Sequence, residues 1–473
     1  MSQPPLLFVD LDNTLTRSDL FLEPLLQLLR REPLALILLP FWLLHGRGYF
    51  KQQLADRVTI NPGDLPYDEE VLDYLKQQRD AGRKIVLATA SNQTFARMIA
   101  DHLGLFDDVI ASSFDINTKG KNKLAMMKHY ADGQDFDYLG DSHADIPIWK
   151  AIGRAVVVSP QPGVLWRLKQ RAIPVELIHE APGPAVYLQA LRPWQWLKNT
   201  LVFVPLILAK QLFEPAGLLA VTGTFVSFSL IASAGYLVND LLDLEADRVH
   251  PRKKLRPLAS GKLSLWNVVF LVAALLLAGL LLAWLIDGKL ALVLSIYFIV
   301  TVVYSLELKR HALVDVIMIA GFYAARIIAG GLAASVEISF WLLAFSIFIF
   351  LSLALLKRCA EIRNVEHEAD TLIPGRGYYK DDELLLSIMG VASGYLAVVV
   401  IAFYLNSNEV VSLYGFPQAL WLVCPLMLYW ISRMWLKTHR DEMHDDPLVF
   451  ALRDKVSLFT GGLLALVMLM ATV

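Results

Sequence analysis

Hydrophobic positions along this chain follow two different rhythms, and the change falls near residue 190. Before it, apolar runs are short. Leu6–Val9, Ile85–Ala88 and Asp137–Leu139 each end against a polar residue, at Asp10, Thr89 and Gly140-Asp141. Such runs suit buried parallel strands that carry functional groups at their carboxyl ends. Between them, helical periodicity covers Glu69–Ala81, Gln93–Leu103 and Lys121–Ala131. Strand and helix in alternation predict a doubly wound, Rossmann-like α/β domain with its site on the carboxyl edge of the sheet. An insertion over residues 18–66 contains LFLEPLLQLLRREPLALILLPFWLL, whose longest unbroken apolar stretch is Pro33–Leu44. That stretch is too short to cross ~30 Å of hydrocarbon. It reads either as a helical cap packed on its own sheet or as an amphipathic surface resting on a membrane or on the second domain.

After residue 190 the apolar runs lengthen to about 20 residues, the span of a bilayer-crossing helix. Nine are predicted, at 199–214, 217–238, 265–286, 289–306, 313–332, 338–356, 385–405, 417–436 and 456–472. A region rich in Pro and Gly, 159–185, breaks regular structure before them. In LRPWQWLKN, Trp194 and Trp196 stand beside Arg192 and Lys198, a mixture suited to the headgroup level. The domains expected are therefore 1–178, with a cap at 18–66, a linker at 179–190, and an all-α polytopic membrane domain over 191–473.

Composition agrees with this division. The chain is 56% hydrophobic, too apolar for a soluble protein of 473 residues. Its net charge of −2 says little about partners and does not imply nucleic acid. Cys359 and Cys424 are the only cysteines, both next to or inside apolar runs, which gives no support to a disulfide framework or a cysteine-built metal centre. MSQPPLLFVDLD has no basic region followed by an apolar core, so no secretory leader is read there. Arg and Lys crowd alternate loops, including 248–262, 309–310, 357–363 and 376–380, whereas the opposite loops hold Lys210 and Lys289. The positive-inside rule then places the basic loops, and the soluble domain with them, on the cytosolic side of an inner membrane.

Two acidic motifs carry the candidate chemistry. In Asp10-Leu11-Asp12-Asn13-Thr14, two carboxylates lie two residues apart just past a strand, where one can attack phosphorus and the other can move protons. Asp141, in Gly140-Asp141-Ser142-His143-Ala144-Asp145, is a further Mg²⁺ ligand beside Asp10 and Asp12. Thr89 and Lys123 are suited to the remaining phosphate oxygens. Together these motifs resemble the haloacid dehalogenase superfamily of phosphatases over residues 6–178. The resemblance implies Asp10 as the nucleophile that forms an aspartyl-phosphate, Asp12 as the general acid and base, and Asp145 in a supporting acidic position.

The second motif, NDLLDLEADRVHPRKKLRP at 239–257, follows a predicted crossing. Asn239, Asp240, Asp243 and Asp247 recur at helical spacing, so on a continuing helix the three carboxylates share one face. Clustered acids repel one another, and Mg²⁺ shared with a diphosphate relieves that repulsion. Arg248, His250, Arg252, Lys253, Lys254 and Arg256 follow at a density suited to phosphate capture. Later helices add Tyr304, Lys309, Asp315, Arg326, Lys357, Arg358 and Glu361 as substrate-binding candidates. Arg326 interrupts an apolar crossing and should face the bundle interior. Gly375-Arg376-Gly377-Tyr378 reads as a plain turn or as a loop that closes over the cavity.

This half resembles the UbiA superfamily of intramembrane transferases over roughly 186–473, with NDLLDLEADR as its first acidic motif. HPRKKLRPLASG, YSLELKRHALVDV and GFYAARIIAGG resemble the decaprenyl-phosphate phosphoribosyltransferase branch. Prenyl-transferring members carry a second motif, DxxxD, whereas here Asp315 is followed four residues later by Ile319. The resemblance implies transfer of 5-phosphoribose from phosphoribosyl diphosphate to a polyprenyl phosphate. A phosphatase on the same chain would then remove the 5-phosphate. The partners expected are those two substrates and the bilayer, with Mg²⁺ in both sites, and a homo-oligomer is compatible with the pattern. Two alternatives stay open. One is transfer of an isoprenoid from its diphosphate to an aromatic or glycerol-phosphate acceptor; the other is a soluble domain that acts as a separate phosphatase or a regulatory module.

Overall fold

The computed structural model describes residues 5–112, 118, 120–363, 376–407, 414–443 and 446–472. By its contacts the chain forms two compact units. The first joins the residues up to Leu191 with Tyr236–Ala273, and the second joins Arg192–Gly235 with Ala274–Val473.

The first unit is built on a six-stranded parallel sheet in the order β3-β2-β1-β4-β5-β6. Its strands are β1 (Leu6–Val9), β2 (Ile85–Asn92), β3 (Asp108–Ser112), β4 (Phe136–Gly140), β5 (Ala155–Val158) and β6 (Val175–His179). Side chains alternate across a strand, so both faces must be apolar if helices cover both. They are: Leu7, Val9, Leu87 and Leu139 pack with Leu75 and Ile99 on one face. Phe8, Val86, Ala88 and Tyr138 pack with Met127 and Trp149 on the other. In register, Val9 of β1 lies beside Leu87 of β2 and Leu139 of β4, which brings the carboxyl ends of the three central strands level. The strand order reverses beside β1, and such a switch point opens a crevice at the carboxyl edge.

Helices Gln93–Leu103 and Lys121–Ala131 have the predicted bounds, and the first of the three ends one residue early, at Asp80. Their starts follow from local chemistry. Asp68 accepts from the Val71 amide at 3.4 Å and Asn92 from the Thr94 amide at 2.8 Å, and each stands just before its helix as an N-cap. The insertion is helical: Leu22–Arg31, Leu39–Leu44 and Arg47–Arg57, with a 3₁₀ turn at Pro33–Ile37. Leu28, Ala35, Trp42, Phe50, Leu54 and Val58 form its small core. The predicted linker, 179–190, runs into a helix, Pro184–Leu191, and the edge strand β6 starts directly after Pro174, a place where a missing N–H is tolerated.

In the second unit and the helices that run into it, the described residues contain seven helices long and apolar enough to cross a membrane. They are Pro215–Leu242, Leu265–Ile286, Gly288–Leu306, Val314–Ala334, Phe340–Arg363, Asp382–Leu405 and Pro417–His439. Pro447–Arg453 and Lys455–Ala471 make an eighth if that pair, bent by 81°, is one span. Seven or eight of the nine predicted crossings thus stand among the described residues. The stretch 199–214 is instead divided between a 3₁₀ run, Pro193–Phe203, and a short helix, Val204–Leu208. A five-residue helix rises only about 7.5 Å, far less than a bilayer core.

Close packing holds the later helices together. A Cβ on Gly390 would lie 2.1 Å from the Trp435 ring, and one on Gly394 would lie 2.7 Å from Ile431. Small residues four apart let helices approach at this distance where no hydrophobic force drives them together in lipid. Ser352 then donates to the Gly390 carbonyl at 2.7 Å and accepts from Trp435 Nε1 at 3.1 Å.

Candidate active sites

The loop after β1 delivers Asp10 and Asp12, β2 contributes Thr89, and Asp141 follows β4. Among the described residues, one group of acids brings its ligand oxygens within 4.8 Å of one another: Asp10, Asp141 and Asp145, all buried. Burial pushes the Asp141 carboxyl well above its ordinary range, and repulsion from Asp145 and Asp10 adds to that. Burial also raises Asp10, against the pull of the Lys123 ammonium. Three buried carboxylates facing one another are the donor set that Mg²⁺ takes, with phosphate and water completing its shell. The residues present therefore fit that ion.

Lys123 Nζ lies 2.8 Å from Asp10 Oδ2 and donates to the Tyr138 hydroxyl, also at 2.8 Å. That hydroxyl sits 2.9 Å from Asp10 Oδ2 and 2.7 Å from Asp145 Oδ1, and it joins all three groups. Asp12 stands apart from the metal trio. Its Oδ1 accepts from the Leu20 amide at 2.7 Å, and its Oδ2 accepts from the Ser91 hydroxyl at 2.5 Å. Burial first, and then the Asp19 charge, raise the Asp12 carboxyl to about 7. Thr89 is fully buried, and its hydroxyl oxygen accepts from the Ser91 amide at 3.0 Å.

The second acidic motif spans a helix junction in the same unit. Asp240 belongs to Pro215–Leu242 and Asp247 to Leu244–Val249, with Asp243 between them. Bonds from the Asp243 amide to the Asn239 carbonyl, 2.9 Å, and from the Asp247 amide to the Asp243 carbonyl, 2.8 Å, carry the helical turn through the break. Arg256 pairs with Asp240 at 3.1 Å and with Asp247 at 2.5 Å, and Lys253 lies 3.8 Å from Asp247. Arg30, from the cap, lies 3.8 Å from Asp243. Arg248 faces away from this set: it grips Glu23 through two nitrogens, at 2.5 and 3.0 Å, and reaches Ser18 at 3.3 Å. His250 is exposed, and its Nδ1 accepts from the Arg252 and Lys253 amides. Lys254 is exposed as well.

In the second unit, Asp315 is fully buried and lies 2.7 Å from Arg358 and 3.3 Å from Arg376. Tyr304 donates to Asp315 at 2.7 Å and accepts from Arg376 at 3.1 Å, and Glu361 pairs with Arg358. Another buried group surrounds Arg326, which donates to Asn199 at 2.9 Å and lies over the Phe228 ring at 4.8 Å. Lys357 and Lys198 share Asp446, at 3.4 and 2.7 Å. Lys309 is buried.

Residues 7–150 match the haloacid dehalogenase-like hydrolases, and residues 200–459, more than half of the chain, match the UbiA prenyltransferase family. The chain belongs to the UbiA prenyltransferase family. An uncharacterized protein of Sinorhizobium fredii is 40% identical over 474 residues, 98% of this chain and 90% of that one. Nodulation protein NoeC of Azorhizobium caulinodans is 34% identical over 60% of this chain and 93% of its own. Decaprenyl-phosphate phosphoribosyltransferase of Mycolicibacterium smegmatis is 38% identical over 183 residues, 38% of this chain and 58% of that protein.

The molecule is thus a multi-pass UbiA-family transferase fused to a haloacid dehalogenase-like hydrolase. Sequence reasoning passed over Tyr138, Ser91, Asn199, Arg376 as a partner of Asp315, and Asp446. A signal existed for Tyr138, a hydroxyl in an apolar strand two residues before Gly140. Asp446 gave none, because its partners lie far off in sequence, at Lys198 and Lys357. Of the Gly375–Tyr378 turn in the UbiA half, Gly375 lies outside the described residues, while the Tyr378 hydroxyl accepts from the Leu313 amide at 3.1 Å.

Proposed function

We propose that this chain catalyses two successive steps on one lipid. The transferase moves 5-phosphoribose from phosphoribosyl diphosphate to a polyprenyl phosphate, and the hydrolase removes the 5-phosphate to give polyprenyl-phosphoryl-ribose. The observation that carries this reading is the fusion itself. A buried Asp10, Lys123 and Asp141 pocket is joined to a UbiA half whose relatives include proteins named decaprenyl-phosphate phosphoribosyltransferase. A ribosyl 5-phosphate is a phosphate monoester, the class of substrate such a pocket is built to take.

In the first step an oxygen of the polyprenyl phosphate attacks the anomeric carbon as the bond to diphosphate breaks, and diphosphate leaves. The acceptor is already an anion, so it needs little help from a base. Asp240, Asp243 and Asp247 are assigned to the leaving group's side, and Asn239, His250, Lys254 and Arg256 to its phosphates. Tyr304, Lys309, Asp315, Arg326, Lys357, Arg358 and Glu361 are assigned to the acceptor phosphate and the ribose 5-phosphate. In the second step Asp10 attacks phosphorus while Asp12 gives its proton to the departing ribose oxygen. Water then attacks the aspartyl-phosphate, Asp12 takes back a proton, and phosphate is released. Lys123 and Thr89 hold the phosphoryl oxygens. Mg²⁺ held by Asp10, Asp141 and Asp145, and at the second site by Asp240, Asp243 and Asp247, would offset phosphate charge. Both sites are assigned to the cytosolic side of an inner membrane, from the crowding of Arg and Lys in alternate loops.

Purified chain supplied with labelled phosphoribosyl diphosphate, a polyprenyl phosphate and Mg²⁺ tests the scheme by lipid mass spectrometry. Asp10→Asn should accumulate the 5-phosphorylated lipid, with the dephosphorylated product at least about a thousandfold lower. Asp240→Asn should give neither. Absence of labelled pentose from the lipid fraction of the unaltered chain overturns the first step. Unchanged product from Asp10→Asn overturns the second.

A further inference from the structure

The cap carries an apolar face that nothing in its own unit covers. Leu34, Ile37, Phe41, Leu43 and Leu44 are exposed by 79, 75, 54, 60 and 85%, all within the twelve residues from Pro33 to Leu44. Ala35 and Trp42 of the same stretch turn inward to the cap core, at 3% each. The stretch is therefore folded and amphipathic, with its larger apolar side outward. Soluble proteins seldom leave so dense an apolar patch in water without a use for it.

What covers that face is indicated by where the stretch begins. Arg30 lies 3.8 Å from Asp243 and Arg31 lies 3.7 Å from Glu245, one and three residues past Leu242, the end of a membrane-capable helix. Two residues after Arg31 the apolar stretch starts. A second tie sits close by. Trp266, the second residue of the membrane-capable helix Leu265–Ile286, donates from its indole to Asp19, at the start of the cap, at 2.9 Å. Both ties lie within one compact unit and hold the cap at the level where two spans meet water.

We propose that Pro33–Leu44 inserts its apolar face into the lipid headgroup and acyl boundary and holds the soluble active site at the membrane surface. A short amphipathic element with Phe and Leu on one side and arginines at its start fits that boundary. The occupant is lipid, not a second copy of the chain.

The test uses the full chain, one copy per phosphatidylcholine nanodisc, with Cys359→Ala and Cys424→Ala to remove the native thiols. An environment-sensitive fluorophore is attached at Ile37→Cys or at Leu44→Cys, and at the exposed Lys150→Cys as a control. Cap labels should show blue-shifted emission and be quenched at least about twofold by lipids carrying a nitroxide near the headgroup, with the control label unaffected. Adding Phe41→Glu with Leu43→Glu should abolish quenching at Ile37→Cys, while turnover of a water-soluble phosphomonoester stays unchanged and reports an intact fold. Water-like, unquenched cap labels overturn the proposal. So does a blue shift seen only at several copies per vesicle and lost in single-copy discs, which would mean that the face meets another chain. Because quenching is read without any ribosyl substrate, its failure is separate from a failure of the two-step reaction.

Discussion

Tyr138 shows how one hydroxyl can order a charged pocket. Its oxygen lies within 2.9 Å of Lys123, Asp10 and Asp145. Hydrogen bonds to charged groups contribute about 1.5–3 kcal/mol each, so removing this one should misplace the Asp10 carboxylate. Tyr138→Phe is expected to lower kcat for phosphomonoester hydrolysis about 10- to 100-fold and to lower the melting temperature by a few degrees, because the bonds to Lys123, Asp10 and Asp145 are lost while the ring stays in the sheet core. Asp68 does different work at the same scale. It caps the helix that starts at Glu69, and its Oδ2 accepts from Arg17 at 2.9 Å and lies 2.5 Å from His179. Burial alone would raise its carboxyl, yet the bonds from Arg17 and His179 outweigh burial and hold it below its ordinary value. A depressed folded pKa adds stability above the unfolded value, about 3.9, and loses it as pH falls through the folded one. Asp68→Asn should thus cost about 1–2 kcal/mol at neutral pH, since Arg17 is partly exposed. Denaturant titration should show the gap between the two proteins closing below about pH 4.

At the scale of elements, a buried ion pair ties two membrane helices together, Val314–Ala334 through Asp315 and Phe340–Arg363 through Arg358. Both side chains are 1% exposed or less, so removal of either breaks a buried pair and leaves the remaining charge to its second partner alone, Arg376 for Asp315 or Glu361 for Arg358. Asp315→Asn or Arg358→Met is expected to destabilise the purified protein by about 3–5 kcal/mol. The double variant Asp315→Leu with Arg358→Met should recover much of that stability while transfer stays lost, which would separate the structural role from the substrate role. Unequal stability of the two single variants, with no recovery in the double, would count against the pairing. Gln93–Leu103 was legible because periodicity, the Asn92 cap and Gly104 agree locally, and Lys121–Ala131 because Gly120 and Gly133 bracket its periodicity. The stretch 199–214 has the hydropathy of a crossing, and hydropathy registers apolar residues but not the 3₁₀ geometry of Pro193–Phe203. Strand-end acids were legible for the same reason as the strands. Asp315 with Arg376 was not, since that contact joins positions 61 residues apart.

For the molecule as a whole, the consequence of fusion is kinetic. A tethered second site meets its substrate at an effective concentration of about millimolar when the linker permits, without any new contact. This can be tested by dividing the two defects between chains. Asp10→Asn retains the transferase and Asp240→Asn retains the hydrolase, so a mixture of the two full-length proteins in one bilayer can complete both steps only by diffusion of the phosphorylated lipid. At a surface density of a few copies per vesicle, the mixture should show a lag before ribosyl lipid appears and a transient pool of its 5-phosphate. The unaltered chain at the same density should show neither. Raising the density of the mixture should shorten the lag, because encounter then replaces tethering. If mixture and unaltered chain give the same time course at every density, the intermediate equilibrates with the bilayer faster than it is hydrolysed. Joining the two domains would then serve to match their amounts, and proximity would contribute nothing to the rate.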